Sequence, residues 1–218
     1  MKDMSYKTVR DMITVNNKEE LKKLINQRIE QRGPNCDLND IDVSRIKDMS
    51  LLFDSSPFDG DISKWDVSNV ESMSCMFYDS QFNGDISQWN VSKVKDMENM
   101  FFSSHFNGDI SQWDVSNVEN MSYMFSFSKF NGDLSKWDVP NVRDMSYMFF
   151  ESTFNGDVSK WDVSKVEDMT CMFAHSRFDH DVSKWDVSSV EDVKNMFGTF
   201  YDSPLEGNEP DWWKEWRS

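Results

Sequence analysis

A 24-residue unit is copied six times between Phe58 and Tyr201, and this periodicity constrains the fold more than any other feature of the chain. The unit reads F-(N/D)-G-D-(I/L/V)-S-(K/Q)-W-(D/N)-V-S-x-V-x-x-M-x-x-M-F. Its tryptophans, which step by 24 residues, are Trp65, Trp89, Trp113, Trp137, Trp161 and Trp185. A fixed period of about 20 to 50 residues predicts a solenoid, in which each unit buries its apolar side against its neighbours.

Two apolar patterns follow one another within each unit. In the first unit, Trp65 and Val67 alternate as in a short strand, whereas Val70, Met73 and Met76 have the three-residue spacing of a short helix. The sequence therefore predicts an α/β-type repeat solenoid with one short parallel strand and one short α- or 3₁₀-helix per coil. The tryptophan and methionine columns are assigned to its core.

Three segments are predicted along the chain. Residues 1–36 form an N-terminal cap with a strand near residues 8–9 and 12–15 and a helix at 17–31, which Asn17 begins and Gly33 ends. Residues 37–203 form the repeat region, with one degenerate unit at 37–57 and six units at 58–201. Residues 204–218 form a cap rich in tryptophan, which we expect to cover Phe197 and Phe200; a binding site is the alternative.

The unit F-N-G-D-I-S-x-W-D-V-S-x-V-x-x-M-x-x-M-F resembles the BspA-like leucine-rich-repeat surface proteins of bacteria over roughly residues 37–203. That resemblance implies a right-handed superhelix on a cell-surface or secreted protein, often linked to adhesion. It brings no catalytic motif to the chain.

Charge and cysteine spacing exclude several classes of protein. The net charge is −16 without a basic cluster, which excludes a nucleic-acid footprint and disfavours anionic membranes. No apolar run reaches membrane-spanning length, and residues 1–4 lack the apolar core of a signal peptide. We therefore expect that the protein is either intracellular or has had its leader removed.

Cys75 and Cys171 occupy one slot four units apart, about 19 Å at 4.8 Å per coil. Three free thiols are expected, counting Cys36, which also fits the cytoplasm.

Aspartates recur in the Asn-Gly-Asp motif, where glycine is expected to supply a positive φ. Turn formation is the simpler role of these residues. Calcium binding is the alternative, because carboxylates in Gly- and Asp-rich turns bind calcium in other solenoids. No cofactor is otherwise predicted. The candidate calcium ligands are Asp85, Asp109, Asp133 and Asp157.

A second candidate surface is a polar column expected on the strand face, suited to an extended polar or acidic partner. Its members are Lys64, Gln88, Gln112, Lys136, Lys160 and Lys184.

Slots that vary between units mark the solvent side, because stacking holds the core columns constant. Large aromatic residues fill slots that other units fill with Asn, Ser or Ala, and such exposed patches bind partners. A second apolar layer is the structural alternative. The candidate partner-binding residues are Tyr78, Phe102, Tyr123, Phe127, Tyr147 and Phe150.

The sequence therefore favours a non-enzymatic recognition or adhesion module that binds a protein partner or a host surface component. No nucleophile elbow, phosphate loop or paired metal ligands occur, and the three histidines do not repeat. A calcium-dependent or glycan-binding module and a structural spacer are the alternatives.

Overall fold

The computed structural model describes residues 12–216. Its regular elements are β1 (Ile13–Thr14), α1 (Lys18–Arg32), β2 (Ile41–Asp42), a 3₁₀ helix (Val193–Met196) and α2 (Asp211–Trp216). β1 and β2 pair in parallel, with Ile13 opposite Ile41. Residues 43–192 contain turns and isolated β-bridges but neither helix nor strand. The predicted strand is found only in the degenerate unit, as β2, and the predicted helix only in the sixth unit, as the 3₁₀ helix; the prediction is wrong for the other described units. The strand predicted near residues 8–9 lies outside the described residues.

Helix α1 agrees with the predicted helix to within one residue at each end. The side chain of Asn17 accepts the Glu20 N–H at 2.9 Å, and the Glu20 carboxylate accepts the Asn16 N–H at 2.9 Å, so the two side chains satisfy free donors of the first turn. Gly33 ends the helix with φ 84° and donates to the Ile29 carbonyl at 2.8 Å. Leu21 is fully buried against the first unit.

Polar side chains close the turns of each unit, and this explains the lack of regular secondary structure. Asp61 Oδ1 accepts the Ser63 N–H at 2.9 Å, and Ser80 Oγ accepts the Phe82 N–H at 3.2 Å. Such bonds give the backbone an alternative to helix or strand pairing. The aspartates that make the first bond in later units, at 2.8–2.9 Å, are Asp85, Asp109, Asp133, Asp157 and Asp181.

Successive units are joined by a backbone ladder in the segment for which the sequence predicts a helix. The Met73 N–H donates to the Asp96 carbonyl at 2.9 Å. The Cys75 N–H then donates to the Glu98 carbonyl at 2.8 Å, and the pattern continues to Asp79. The apolar residues that have helical spacing are buried, as the sequence predicts. The backbone is not helical, because Cys75 and Asp79 have positive φ values of 54° and 47°.

Aromatic columns fill the core, as the sequence predicts. Each unit tryptophan is at most 5% exposed, and its indole N–H donates to a carbonyl 27 residues earlier, as Trp113 does to Ile86 at 3.1 Å. The phenylalanines of neighbouring units stack, with Phe101 and Phe125 ring centroids 5.6 Å apart. Buried Phe and Trp at a period of 24 residues establish a repeat structure.

The last unit departs from the repeat by three residues. The pattern M-x-x-M-F places Phe197 in the core, but its side chain is 73% exposed. Phe200 occupies that slot instead, 1% exposed and stacked on Phe173 at 6.0 Å. The same offset places Trp212 where a seventh tryptophan would lie, and its indole donates to the Val182 carbonyl at 3.0 Å.

The C-terminal residues contact the last unit, as expected, but they cover Phe200 and leave Phe197 exposed. The Trp212 and Trp213 rings lie 5.9 and 5.6 Å from the Phe200 ring. The segment L-E-G-N-E-P-D-W at residues 205–212 is a degenerate copy of F-N-G-D-I-S-x-W.

The glycine of the Asn-Gly-Asp motif does not have the predicted positive φ. Its role is steric: a Cβ on Gly84 would lie 2.7 Å from the Phe82 ring, which is closer than van der Waals contact allows.

Candidate functional site

The candidate aromatic residues form one continuous surface along the ladder, which we call the aromatic surface. Tyr78 stacks on Phe102 at 4.7 Å, and Tyr123 stacks on Tyr147 at 4.6 Å. Phe127 lies between Phe102 and Phe150, 5.3 and 5.4 Å from their rings. The complete surface, which the structure extends by two residues, is Tyr78, Phe102, Tyr123, Phe127, Tyr147, Phe150, His175 and Tyr201.

The exposure of this surface varies along its length. Phe127 is 46% exposed and Tyr201 is 57% exposed, whereas the other three tyrosines and the two remaining phenylalanines are half-buried. Features of both the predicted second apolar layer and the predicted exposed patch are therefore present, since the half-buried rings pack on one another and Phe127 and Tyr201 are exposed.

The backbone under these residues is unfavourable for aromatic side chains. Tyr123, Phe127 and Tyr147 have φ values of 56°, 55° and 56°, in the left-handed region that bulky residues rarely adopt. The slot of Tyr123 and Tyr147 is filled by Asn99 in another unit, and the slot of Phe127 by Asp79, and Asn and Asp tolerate this conformation better. The turn therefore does not require the rings, and strained residues of this kind concentrate at functional sites.

Carboxylates border the aromatic surface. Burial raises the pKa of Tyr123, and the nearby Asp144 raises it further. Burial, together with a hydrogen bond to Cys171, raises the pKa of Tyr147 to about 12, so both phenols stay neutral at physiological pH. Glu98 occupies a slot that neighbouring units fill with serine, and burial raises its pKa. The surface thus combines neutral rings with negative charge.

A cavity of about 690 Å³ lies at the C-terminal end of the aromatic surface, where the repeat register shifts. Most of its lining is apolar, and the Trp213 side chain is part of it. The Trp213 indole nitrogen is itself buried and has no hydrogen-bond partner among the described residues. His175 Nδ1 lies 2.8 Å from Asp202 Oδ2, and Glu206 accepts the Asp202 N–H at 2.8 Å. The other lining residues are Phe150, Cys171, Ala174, Met196, Phe197, Gly198, Phe200, Tyr201 and Glu209.

The predicted polar column is exposed but does not lie on a strand. Lys64 occupies a turn in which the Trp65 N–H donates to the Ile62 carbonyl at 3.1 Å, and its equivalents repeat this arrangement. The column lies in a different turn from the ladder that carries the aromatic surface. The six residues Lys64, Gln88, Gln112, Lys136, Lys160 and Lys184 are all solvent-exposed.

The candidate calcium ligands close turns. Asp109 accepts the Ser111 N–H at 2.9 Å, and this bond lowers the pKa of its carboxyl group. Ser135 and Ser159 lower the pKa values of Asp133 and Asp157 in the same way. Within residues 12–216, no group of three or more His, Cys, Asp or Glu side chains is placed to hold a metal ion.

The sequence-based prediction missed three residues of the candidate site. His175 lies in register in the fifth unit, whereas Tyr201 and Trp213 lie in the segment displaced by the three-residue shift. The signal for that shift is readable in the sequence, since L-E-G-N-E-P-D-W is displaced by three residues from the position that the 24-residue period gives it.

These observations define the chain as a repeat protein whose 24-residue units are joined by backbone hydrogen bonds. The family described as Mycoplasma protein of unknown function, DUF285, matches residues 19–129 and 102–206, and the chain belongs to it. No curated protein and no solved structure matches the chain.

The family match corrects the resemblance to BspA-like leucine-rich-repeat proteins. The physical reason is visible in residues 43–192, which lack the strand and the helix that a leucine-rich repeat supplies. The expectation of adhesion depended on that resemblance and is not supported. All three cysteines are free thiols, as the spacing predicts, and none of the described helices is long and apolar enough to cross a membrane.

Proposed function

We propose that the chain is a non-enzymatic recognition module that binds an extended, cationic protein segment along the aromatic surface. The observation that carries the proposal is the unbroken series of ring contacts from Tyr78 to Tyr201 on one side of the ladder. Side-chain packing of the core does not require these rings, and the backbone disfavours three of them.

Charge selects the class of partner. The chain carries a net charge of −16, and carboxylates such as Glu98 and Asp144 lie within electrostatic range of the Tyr123 ring. Arginine and lysine are attracted to the faces of aromatic rings, each contact contributing roughly 0.5–2 kcal/mol. A partial negative potential also speeds the association of a cationic partner.

We further propose that the units stack as a solenoid. Its support is that ladder bonds join each unit to the next, and that the Phe and Trp columns stack with the same 24-residue step. In such a stack the aromatic surface spans five steps, roughly 24 Å at 4.8 Å per step. An extended peptide of about eight residues covers this length.

The test is binding of a synthetic octapeptide of alternating arginine and leucine, measured by isothermal titration calorimetry at low salt. A peptide with citrulline in place of arginine controls for charge. Tyr123→Ser and Phe150→Ser are the surface variants, and Gln112→Ser on the polar column is the matched control.

We expect the arginine peptide to bind, the citrulline peptide to bind at least tenfold more weakly, and the surface variants to weaken binding about tenfold each. Equal binding by Gln112→Ser and the wild-type chain assigns the effect to the aromatic surface. If the surface variants bind the arginine peptide as the wild-type chain does, the proposal is wrong.

A further inference from the structure

The backbone ladder that joins the units ends in the last unit with two unpaired donors. In the first unit, the Cys75 N–H donates to a carbonyl of the following unit at 2.8 Å, and the Phe77 N–H does so at 2.9 Å. With the three-residue shift, the corresponding amides of the last unit belong to Gly198 and Phe200. Neither amide has a hydrogen-bond acceptor within the described part of the chain.

Both unpaired N–H groups point away from the preceding unit. The Phe197 carbonyl accepts the Cys171 N–H at 3.0 Å, and the Thr199 carbonyl accepts the Phe173 N–H at 2.9 Å. The C=O and N–H bonds of a planar trans peptide group point in opposite directions, and no described peptide bond is cis. Each unpaired N–H shares a peptide group with one of these two carbonyls, so it points to the position that a further unit would occupy.

The next donor along this edge shows which kind of group belongs at that position. The Tyr201 carbonyl accepts the His175 N–H at 2.8 Å, so the Asp202 N–H also points away from the preceding unit. The Glu206 carboxylate accepts the Asp202 N–H at 2.8 Å and takes the place of a carbonyl from a further unit. The other two donors therefore require oxygen acceptors at the equivalent positions.

Open space and exposed rings lie beside the two donors. Gly198 and Phe200 both line the cavity of about 690 Å³. Phe197 and Tyr201 line it as well, and their side chains are 73% and 57% exposed. Tyr78, whose slot Tyr201 occupies, has a stacked ring in the next unit at 4.7 Å. The edge therefore offers two backbone donors and two ring surfaces to the same occupant.

We propose that this edge binds an extended segment of a partner protein, which continues the ladder beside Gly198 and Phe200. In such edge addition, backbone hydrogen bonds supply affinity and alternate side chains supply specificity. The bridges between units are parallel and in register, so the segment runs parallel to residues 197–201. It places large apolar side chains beside Phe197 and Tyr201, four residues apart. The inference goes beyond the proposed function, because this segment crosses the end of the stack and meets the aromatic surface only at Tyr201.

A second copy of this chain is a poorer occupant of the edge. The matching carbonyl edge of the degenerate unit lies beside helix α1, whose Lys18 donates to the Ser50 hydroxyl at 2.8 Å and whose Lys22 donates to the Leu51 carbonyl at 2.7 Å. Leu21 of the same helix is fully buried in the core. Helix α1 would have to detach before two copies could stack end to end.

The test uses the pentapeptide acetyl-Phe-Ser-Ala-Ala-Tyr amide, titrated into the full chain and followed by NMR and by amide hydrogen exchange. Its two rings have the spacing that the register requires. The matched control peptide is acetyl-Phe-Ser-Ala-Tyr-Ala amide, in which the rings are one residue closer. Phe197→Ala removes one exposed ring beside the edge, and Tyr123→Ser is the control variant elsewhere on the aromatic surface.

In the free chain, the Gly198 and Phe200 amides should exchange about tenfold faster than the bonded ladder amides of the preceding unit. The pentapeptide, at about ten times its Kd, should slow the exchange of both amides roughly tenfold. Phe197→Ala and the control peptide should each weaken binding about fivefold, whereas Tyr123→Ser should leave it unchanged.

Four results would overturn the inference. The pentapeptide could fail to bind, or it could bind without slowing the exchange of the Gly198 and Phe200 amides. Slow exchange of both amides in the free monomer would show that the edge is already covered. Protection that arises only in a dimer, detected by sedimentation velocity of the chain alone, would assign the edge to a second copy. Tyr123→Ser separates these failures from failure of the proposed function, since it should weaken binding of the arginine octapeptide alone.

Discussion

Phe197 and Phe200 form a matched pair of substitutions, because the repeat pattern and the structure assign them opposite environments. The pattern places Phe197 in the core column, whereas the structure leaves it 73% exposed and buries Phe200 to 1% exposure. Phe200 stacks on Phe173 at 6.0 Å with an interplanar angle of 4°, and it contacts two tryptophan rings within 6 Å.

Truncation of a buried phenylalanine to alanine costs about 3–5 kcal/mol, from lost transfer free energy and from the cavity left behind. We expect about 3 kcal/mol for Phe200→Ala, because a site at the end of the repeat can partly collapse. Phe197→Ala should change the free energy of unfolding by less than about 0.5 kcal/mol, which is usual for an exposed side chain.

The assay is thermal and urea unfolding followed by circular dichroism, combined with hydrogen exchange at Cys171, Phe173 and His175. Their amides donate to the carbonyls of the last unit, so they report its local opening. Phe200→Ala should accelerate exchange at all three amides, and Phe197→Ala should leave it unchanged. A larger loss for Phe197→Ala would refute the register shift and, with it, the origin of the end cavity.

Trp113→Phe should cost roughly 0.5–1.5 kcal/mol, because it removes the indole hydrogen bond at 3.1 Å to the Ile86 carbonyl, which keeps the Trp89 N–H as a donor; urea unfolding measures this loss. Gly108→Ala should cost about 1–3 kcal/mol, since its Cβ would lie 2.9 Å from the Phe106 ring, and a lower melting temperature would show it. Stability should be constant above about pH 5 and fall progressively below pH 4, because turn hydrogen bonds lower the pKa values of aspartates such as Asp133 and Asp157 in the folded state; pH-dependent melting measures this.

The core could be predicted from the sequence because the 24-residue repeat of apolar residues identifies it, whatever the local backbone conformation. Trp113 and its equivalents are buried whatever the backbone does between them, since stacking places identical residues on one another. The same reasoning identified Tyr123 and Phe150 as residues that the stack does not require, and the structure places them in one surface.

The local conformation could not be predicted, because two opposed effects act on the same residues. The spacing of Met73 and Met76 is typical of a helix, but Asp61 and Ser80 hydrogen-bond to nearby amides and close turns on either side. The left-handed conformation of Cys75 and Tyr123 carries no sequence signal, since neither residue type favours it. Ladder bonds between units hold these residues in place, and such bonds are invisible in one unit alone.

The direction of the ladder connects the two ends of the molecule to the proposed binding mode. From Met73 to Asp79 the ladder amides donate to the following unit, as the Met49 and Leu51 amides do to the Ser72 and Ser74 carbonyls at the N-terminal end. Lys22 Nζ donates to the Leu51 carbonyl at 2.7 Å at this end. At the other end, the Asp202 N–H, which has the slot of Asp79, donates to the Glu206 carboxylate at 2.8 Å.

Aligned peptide dipoles carry partial positive charge at their N–H end and partial negative charge at their carbonyl end. Lysines lie at the carbonyl end of the ladder, and the carboxylate of Glu206 lies at the N–H end, beside the cavity. This arrangement favours an ionised carboxylate at the N–H end of the ladder. The cationic segment of the proposed function should therefore place a cation beside Glu206 and extend from there toward Tyr78.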